Sequence, residues 1–262
     1  MATQTRLRLL IVALVAVLAF LLWLAYSPTA LLYSLQWIGF PAEPTRGPTP
    51  PAPTLTAPQG ALPTGHAGLE EWAHTAGQEA RRVGSGFLLQ LPSGPVIGVT
   101  TAHSLLLSAA PTVHFRLPQA TAALIIFDDF YGPPGVTFTG YNFNVDFVFL
   151  QAAEMPRDAP VLMPDTRGLP ELGERVVLYS GLGDGQGQPR ALWGTITAAS
   201  PQAVWAQMDD VFVADGMSGS PLLSAHTGQV VGMAVSATNS APILLGFHPI
   251  GSLVEKAEAV KP

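Results

Sequence analysis

The segment Gly216-Met217-Ser218-Gly219-Ser220-Pro221 decides how the chain is interpreted. A glycine two positions before a serine lets the backbone turn sharply, so that the N–H groups of Gly216 and Ser218 can point into one pocket. The small residues Gly219 and Ser220 leave the approach to the hydroxyl open. A serine hydroxyl needs a base beside it and hydrogen-bond donors for the developing oxyanion. The segment predicts a nucleophilic serine, and a glycine-rich turn between two strands is the alternative.

The upstream segment Thr100-Thr101-Ala102-His103-Ser104 supplies a candidate base. It follows an apolar stretch that itself comes after Gly84–Leu89. A histidine at the end of a strand, preceded by small residues, can be presented at a cleft as a general base. For the five other histidines we expect surface or hydrogen-bonded structural roles: His66, His74, His114, His226 and His248.

An acidic residue lies between the histidine and the serine, in Asn144–Leu150. Asp146 begins an apolar run, where an unpaired carboxylate is costly to bury. That cost is explained if Asp146 accepts a hydrogen bond from the second ring N–H of His103, which fixes the tautomer and stabilises the imidazolium. A cap at a turn or strand end is an equally simple interpretation of Asp146 alone.

These segments together resemble the trypsin-like (chymotrypsin-fold) serine proteases. The cysteine-free, compact form is most similar to the bacterial periplasmic HtrA/DegP-type branch, here expected without a PDZ domain. The resemblance covers about Val83 to Pro249. Four segments carry the resemblance to the family: Gly84–Leu89, Thr100–Ser104, Val145–Leu150 and Gly216–Pro221. Gly173–Gly183 with Gly194–Ala198 is similar to the hairpin before the nucleophile in that branch, and Gly232–Val235 resembles the strand after it.

The resemblance implies a catalytic triad of His103, Asp146 and Ser218, with the first two in one β-barrel and the serine in a second. It also implies an oxyanion hole formed by the backbone N–H groups of Gly216 and Ser218. The substrate would be a protein or peptide, and no cofactor or metal is expected. Met217 and Ser220 depart from the residues usual in the family, but neither side chain performs the chemistry.

The resemblance also indicates which residues would set the specificity of such an enzyme. In the family, residues shortly before the serine line the pocket for the substrate side chain, and Val211, Phe212 and Val213 occupy that stretch here. These residues predict a preference for small or medium apolar side chains. No activation site of the trypsin type is present, so we expect no zymogen step of that kind.

The pattern along the chain independently favours an all-β fold, because short apolar runs alternate with turn residues. We expect a protease domain over 66–262 with two six-stranded antiparallel β-barrels, at about 83–152 and 171–250. A short helix is predicted over Leu69–Arg82, and a closing helix over Ser252–Val260. Strands of the first series are predicted at Gly86–Leu91, Pro95–Thr100, Thr112–Leu117, Ala123–Phe127, Val136–Thr139 and Val145–Gln151. Those of the second series are predicted at Arg175–Ser180, Ala191–Ala198, Ala203–Met208, Pro221–Ser224, Gln229–Val235 and Ile243–Phe247.

The N-terminal part of the chain predicts a membrane anchor. Residues 9–26 are free of charge, glycine and proline, and about 20 such residues span a bilayer as a helix. Arg6 and Arg8 precede them, which places 1–8 in the cytoplasm and the protease domain outside it, at a plasma membrane. Residues 27–40 form an apolar juxtamembrane segment, and the proline-rich residues 41–65 an extended tether. Cleavage as a signal peptide, followed by secretion, is the alternative.

Composition and motif order exclude several other classes. The net charge of −6 and the lack of a basic stripe argue against nucleic acid as a partner. The chain has no cysteine, and it lacks the His-Glu-x-x-His pattern of zinc hydrolases. An α/β-hydrolase needs an acid and then a histidine after its serine, and no such order occurs after Ser218. The remaining rival is a catalytically inactive binding or sensing module; the oligomeric state is not indicated.

Overall fold

The structure is a computed structural model that describes residues 47–262 apart from 66, 76, 78, 106, 108–111, 139, 141, 181–189, 239–240 and 261–262. The predicted segments 1–8, 9–26 and 27–40 lie outside the described residues. Within the described part, no helix has both the length and the apolar character needed to cross a membrane. The fold is all-β with a single C-terminal α-helix in this part of the chain.

The first barrel is built on an eight-stranded sheet in the order β5-β4-β1-β2-β3-β7-β6, with β8 parallel to β2. A 3₁₀ turn, η1 (Phe143–Val145), precedes β7. The strands are β1 (Leu69–His74), β2 (Arg81–Gln90), β3 (Val96–Thr100), β4 (Thr112–Arg116), β5 (Ile125–Phe127), β6 (Asp129–Phe130), β7 (Val148–Gln151) and β8 (Val161–Leu162).

The second barrel closes on itself in the order β10-β11-β14-β13-β12-β9, all antiparallel. Its six strands confirm all six that the apolar runs predict. Helix α1 (Ile250–Ala259) follows directly and confirms the predicted closing helix, which begins two residues earlier than expected. The strands are β9 (Arg175–Ser180), β10 (Arg190–Ala199), β11 (Val204–Met208), β12 (Pro221–Ser224), β13 (Val230–Ala237) and β14 (Leu244–Pro249).

One hydrophobic cluster joins the two barrels. It contains Phe87 and Phe149 from the first barrel, Trp205 and Leu223 from the second, and Leu253 from helix α1. Burial of each large side chain contributes roughly 2–3 kcal/mol. This continuous core holds the two barrels together. Residues on the two sides of the cleft between the barrels therefore keep a fixed spacing.

The helix predicted over Leu69–Arg82 is wrong. Residues 69–74 form β1, and residues 81–90 form β2. Strand β1 pairs with β2 along one edge and with β4 along the other. Its consecutive residues Leu69, Glu70 and Glu71 point to alternate faces and are all buried, so both faces are covered. Burial on both faces removes the alternation that identifies a strand, and the remaining apolar spacing resembles a helix.

The predicted strand Val136–Thr139 is also wrong in its described residues. Residues 136–138 form a loop in which the Val136 N–H donates to the Val145 carbonyl at 2.8 Å. Five of the six strands predicted for the first barrel are present, and the sheet gains β1, β6 and β8, which makes eight. Strands β6 and β8 were missed because they have only two residues each. Runs of two residues are too short to show a period.

The described part of the proline-rich segment, residues 47–65, contains no helix or strand, and it contacts the second barrel. We call it the strap, because it lies along the second barrel. The Gly60 N–H donates to the His226 carbonyl at 2.8 Å, and His226 Nε2 contacts the Ala57 carbonyl at 2.6 Å. A Cβ on Gly173 would lie 1.9 Å from the Pro51 carbonyl oxygen. The tether prediction missed this because the contacts use backbone carbonyls, which composition does not reveal.

Candidate active site

Ser218 lies in a tight turn between β11 and β12. The turn needs glycine on both sides of the serine, since Gly216 and Gly219 have φ of +77° and +88°. A Cβ on Gly219 would also lie 1.9 Å from the Ser85 carbonyl oxygen. Met217, between the glycines, is buried in the core of the second barrel. The turn is therefore held in the core of the second barrel by Met217, and it packs against the first barrel at Ser85.

His103 follows strand β3 of the first barrel. Ala102 before it is buried, and the Phe138 ring lies edge-on to the imidazole with 5.6 Å between ring centroids. The imidazole is 24% exposed, so one side of it faces the cleft. The small residues before His103 allow the chain to turn out of the strand and present the ring to the second barrel.

Asp146 ends the turn η1 and is fully buried. Its carboxylate accepts hydrogen bonds from the backbone N–H groups of Ala102 (2.7 Å), His103 (3.1 Å) and Phe138 (3.3 Å). Together with the imidazole, these donors satisfy a charge that burial would otherwise make costly.

The structure brings the three predicted side chains into one hydrogen-bonded chain. His103 Nδ1 lies 2.7 Å from Asp146 Oδ2, and His103 Nε2 lies 2.9 Å from Ser218 Oγ. Because a carboxylate only accepts hydrogen bonds, Nδ1 carries the proton and Nε2 is left as the acceptor for the serine hydroxyl. This is the geometry that proton transfer from a serine to a histidine requires.

The backbone amides around the serine divide into two groups. The N–H groups of Met217, Gly219 and Ser220 donate to backbone carbonyls at 2.8–3.1 Å. Within the described part of the chain, the N–H groups of Gly216 and Ser218 have no protein acceptor. These are the two amides that the sequence predicts for an oxyanion hole, and they are available to a ligand.

Ser85 links the serine turn to the first barrel. Its hydroxyl donates to the Gly216 carbonyl at 3.0 Å, and its N–H donates to the Ser218 carbonyl at 2.9 Å. The two bonds orient the two peptide groups that directly follow the free amides of Gly216 and Ser218. Sequence reasoning singled out the Gly84–Leu89 segment but missed this contact, which joins residues 131 positions apart.

A pocket of about 660 Å³ adjoins the serine. Its lining includes the three residues predicted for a substrate pocket, Val211, Phe212 and Val213, and the first and last of these are exposed at the surface. Among the described residues that line it, Asp215 is the one that carries a charge. The other lining residues are small or apolar: Ala214, Gly216, Met217, Ser218, Ala234, Val235, Ser236, Ala237, Thr238, Ala241, Ile243 and Leu245.

In the described part of the chain, none of the four other histidines hydrogen-bonds to Asp146, His103 or Ser218, and His66 lies outside the described residues. His74 and His114 stack at 4.2 Å between ring centroids on neighbouring strands. His226 holds the strap, as described above. His248 is fully buried, and burial lowers its pKa to about 4. Among the described residues, no cluster of three His, Cys, Asp or Glu side chains suits a metal ion.

A buried carboxyl group, which the sequence did not single out, lies behind the serine turn. Glu71 is fully buried, and no donor in the described residues meets hydrogen-bond geometry with either of its oxygens. A Cβ built on Gly84 would lie 2.7 Å from Glu71 Oε2 and 3.2 Å from the Ser218 carbonyl oxygen. Burial raises the pKa of Glu71 to about 8, and the nearby hydroxyls of Thr100 and Ser104 offset only part of that rise.

Comparison with known sequences identifies the family of the chain. A sequence model for the trypsin-like peptidase domain matches residues 84–233, more than half of the chain. The chain belongs to the trypsin-like peptidase family. The matched range contains His103, Asp146 and Ser218. No curated protein matches the chain. The narrower assignment to the bacterial HtrA-type branch stays a prediction.

Solved structures share the fold of this trypsin-like peptidase. An inactivated protease paralogue from the scabies mite matches with a TM-score of 0.55 at 18% identity, covering 77% of this chain and 98% of that one. The serine endoprotease from Yersinia pestis gives 0.52 at 15%, with 75% and 63% covered. The active form of the Rv3671c protease from M. tuberculosis gives 0.52 at 19%, with 84% and 94% covered. At these identities the likeness establishes the fold alone.

Proposed function

We propose that the protein is a membrane-anchored serine endopeptidase, with His103, Asp146 and Ser218 as its catalytic triad. One observation carries the proposal: the Asp146–His103–Ser218 chain, with contacts of 2.7 and 2.9 Å, ends beside two backbone amides that have no protein acceptor. A merely structural serine would not require a base and a pair of free donors at the same point.

The geometry supports acyl transfer. His103 Nε2 takes the Ser218 Oγ proton while Oγ attacks the carbonyl carbon of the substrate, and the N–H groups of Gly216 and Ser218 donate to the oxyanion. Asp146 stabilises the imidazolium. His103 then returns the proton to the leaving amine as the peptide bond breaks, which leaves an acyl-enzyme. Water attacks the ester with His103 again as base, and Ser218 regains its proton when the acid is released.

The pocket beside Ser218 supports a preference for small or medium apolar side chains. Its lining offers apolar surface and only one carboxylate, Asp215. A peptide library screened with the full-length protein tests this. We expect cleavage after alanine, valine or leucine to exceed cleavage after arginine or lysine. Efficient cleavage after arginine that disappears in Asp215→Asn would show that the pocket selects cations instead.

The proposed anchor rests on the uncharged run at 9–26 and on the arginines before it. We expect the full-length chain to stay with membranes after alkaline extraction. An externally added protease should degrade the 66–262 domain in intact cells if that domain lies outside the cytoplasm. Release into the medium of a chain that lacks its first residues would favour the secreted alternative.

The second candidate function is an inactive binding module on the same fold. It is kept because the scabies mite relative is itself described as inactivated, so the fold does not guarantee catalysis. Peptide hydrolysis by the full-length protein, compared with Ser218→Ala, separates the two. Turnover that the substitution abolishes supports the endopeptidase. Peptide binding without turnover, equal in both proteins, supports the binding module.

A further inference from the structure

The C-terminal helix is hydrogen-bonded to the turn that presents Asp146. Helix α1 places Ser252 and Lys256 four residues apart, and therefore on one face. The Asn144 side-chain oxygen in η1 accepts hydrogen bonds from Lys256 Nζ, at 2.8 Å, and from the Ser252 hydroxyl. Lys256 Nζ also donates to Ser252 Oγ at 3.0 Å. Asn144 stands two residues before Asp146.

Lys256 contacts the chain on both sides of Asp146. Its ammonium group lies 5.8 Å from the ring centroid of Phe147, the residue after Asp146, in addition to its bond to Asn144 before it. His248 lies edge-on to the same Phe147 ring at 6.0 Å between centroids. A charge-assisted hydrogen bond and a cation–π contact therefore act on adjacent parts of one short turn.

The position of Lys256 is fixed by the second barrel. Helix α1 follows strand β14 without a break, and three of its residues are fully buried in the shared core: Ile250, Leu253 and Ala257. The contact through Lys256 thus joins the barrel that carries Ser218 to the turn that carries Asp146. The proposed triad spans the cleft, so its geometry depends on how the two barrels are held together.

We infer that Asn144 and Lys256 are positioning residues that hold Asp146 against His103 through the C-terminal helix. The inference rests on the proposed function for its effect on turnover. Neither side chain touches the substrate or the reacting atoms. Both act by fixing η1, and a displacement of about 1 Å at a catalytic group can lower a rate by about 100-fold.

The test compares full-length variants in peptide hydrolysis. Lys256→Met keeps the apolar stem and removes the donor, and Asn144→Ala removes the acceptor. We expect each to lower kcat by about 10- to 100-fold with little change in KM, because positioning acts on the transition state. The double variant should lose no more than one single variant, since both remove the same contact. Lys256→Arg should restore most of the loss.

Glu258→Ala is the matched control. Glu258 lies on the same helix and accepts a hydrogen bond from the Ser93 N–H at 2.9 Å, so it ties α1 to the first barrel far from Asp146 in sequence. We expect its kcat to stay within about twofold of the parent value. An equal loss in Glu258→Ala and Lys256→Met, or an unchanged kcat in folded Asn144→Ala, would overturn the inference.

Hydrogen exchange provides a readout that needs no turnover. The Asp146 N–H donates to the Phe143 carbonyl at 3.1 Å, so exchange in a peptide covering 143–147 reports on the turn. We expect faster exchange in Lys256→Met and unchanged exchange in Glu258→Ala. If the parent hydrolyses no peptide, this difference still supports the positioning role of Asn144 and Lys256, while the proposed function fails. If the parent is active and exchange is the same in the parent, Lys256→Met and Glu258→Ala, the positioning role fails and the proposed function stands.

Discussion

The substitution Glu71→Gln is expected to make the protein more stable than the parent, and this difference should grow as the pH rises from 4.5 to about 8. Burial raises the pKa of Glu71 from 4.5 to about 8. Below pH 4.5 the folded and unfolded chains both hold this proton. Between the two values the unfolded chain loses it while the folded protein keeps it, so the free energy of unfolding falls as the pH rises. Above pH 8 both states are ionised and the loss is complete.

The size of this effect follows from the two pKa values. One pKa unit corresponds to about 1.4 kcal/mol, so the difference between 4.5 and about 8 corresponds to about 5 kcal/mol in a rigid site. Relaxation around a buried charge lowers the penalty. We expect the stability advantage of Glu71→Gln to grow by about 2–5 kcal/mol over this range, because glutamine has a similar shape and stays neutral.

Urea unfolding of the parent and the variant between pH 4.5 and 9, followed by tryptophan fluorescence, measures this difference. Glu174→Gln is the control, since Glu174 is equally buried but is paired with Arg167 at 2.7 Å and with Ser224. That substitution should destabilise the protein at neutral pH. A difference between Glu71→Gln and the parent that stays constant within about 0.5 kcal/mol from pH 4.5 to 9 would refute the reasoning.

Three further predictions concern other parts of the molecule. Asp146→Asn should lower kcat for peptide hydrolysis by about 10⁴-fold with little change in KM, because asparagine does not hold His103 in the tautomer that accepts the Ser218 proton. A loss below tenfold would contradict this role of Asp146. Arg167→Met leaves the buried Asp165 and Glu174 without their cation, so urea unfolding should show a loss of about 3–5 kcal/mol, and a neutral result would contradict the pairing. A Cβ on Gly60 would lie 2.0 Å from the Thr227 carbonyl oxygen, so Gly60→Val should detach the strap. Limited proteolysis at 51–62 should then be faster, and an unchanged cleavage rate would show that the strap does not depend on this contact.

The candidate site could be predicted from the sequence because its chemistry constrains short segments. A serine between two glycines, a histidine after an apolar strand and an aspartate before one each have a local reason. Their order then matches one family. The second barrel was predictable for a similar reason, since its strands are four to ten residues long and are separated by turn residues.

The rest depends on contacts between residues far apart in the chain. Ser85 reaches the serine turn across 131 positions, and Lys256 reaches Asn144 across 112. Strand β1 is covered on both faces, so its sequence resembles a short helix. The strap binds through backbone carbonyls, which every residue has. None of these features leaves a periodic or compositional signal that identifies it correctly.

Labelling of the full-length protein with a fluorophosphonate probe tests the central claim most directly. The probe forms a bond only with an activated serine, so the proposed triad predicts one label, located on Ser218 by peptide mapping. Ser218→Ala and His103→Ala should both abolish it. A folded parent that takes up no label, or one whose label persists in His103→Ala, would contradict the claim that His103 activates Ser218.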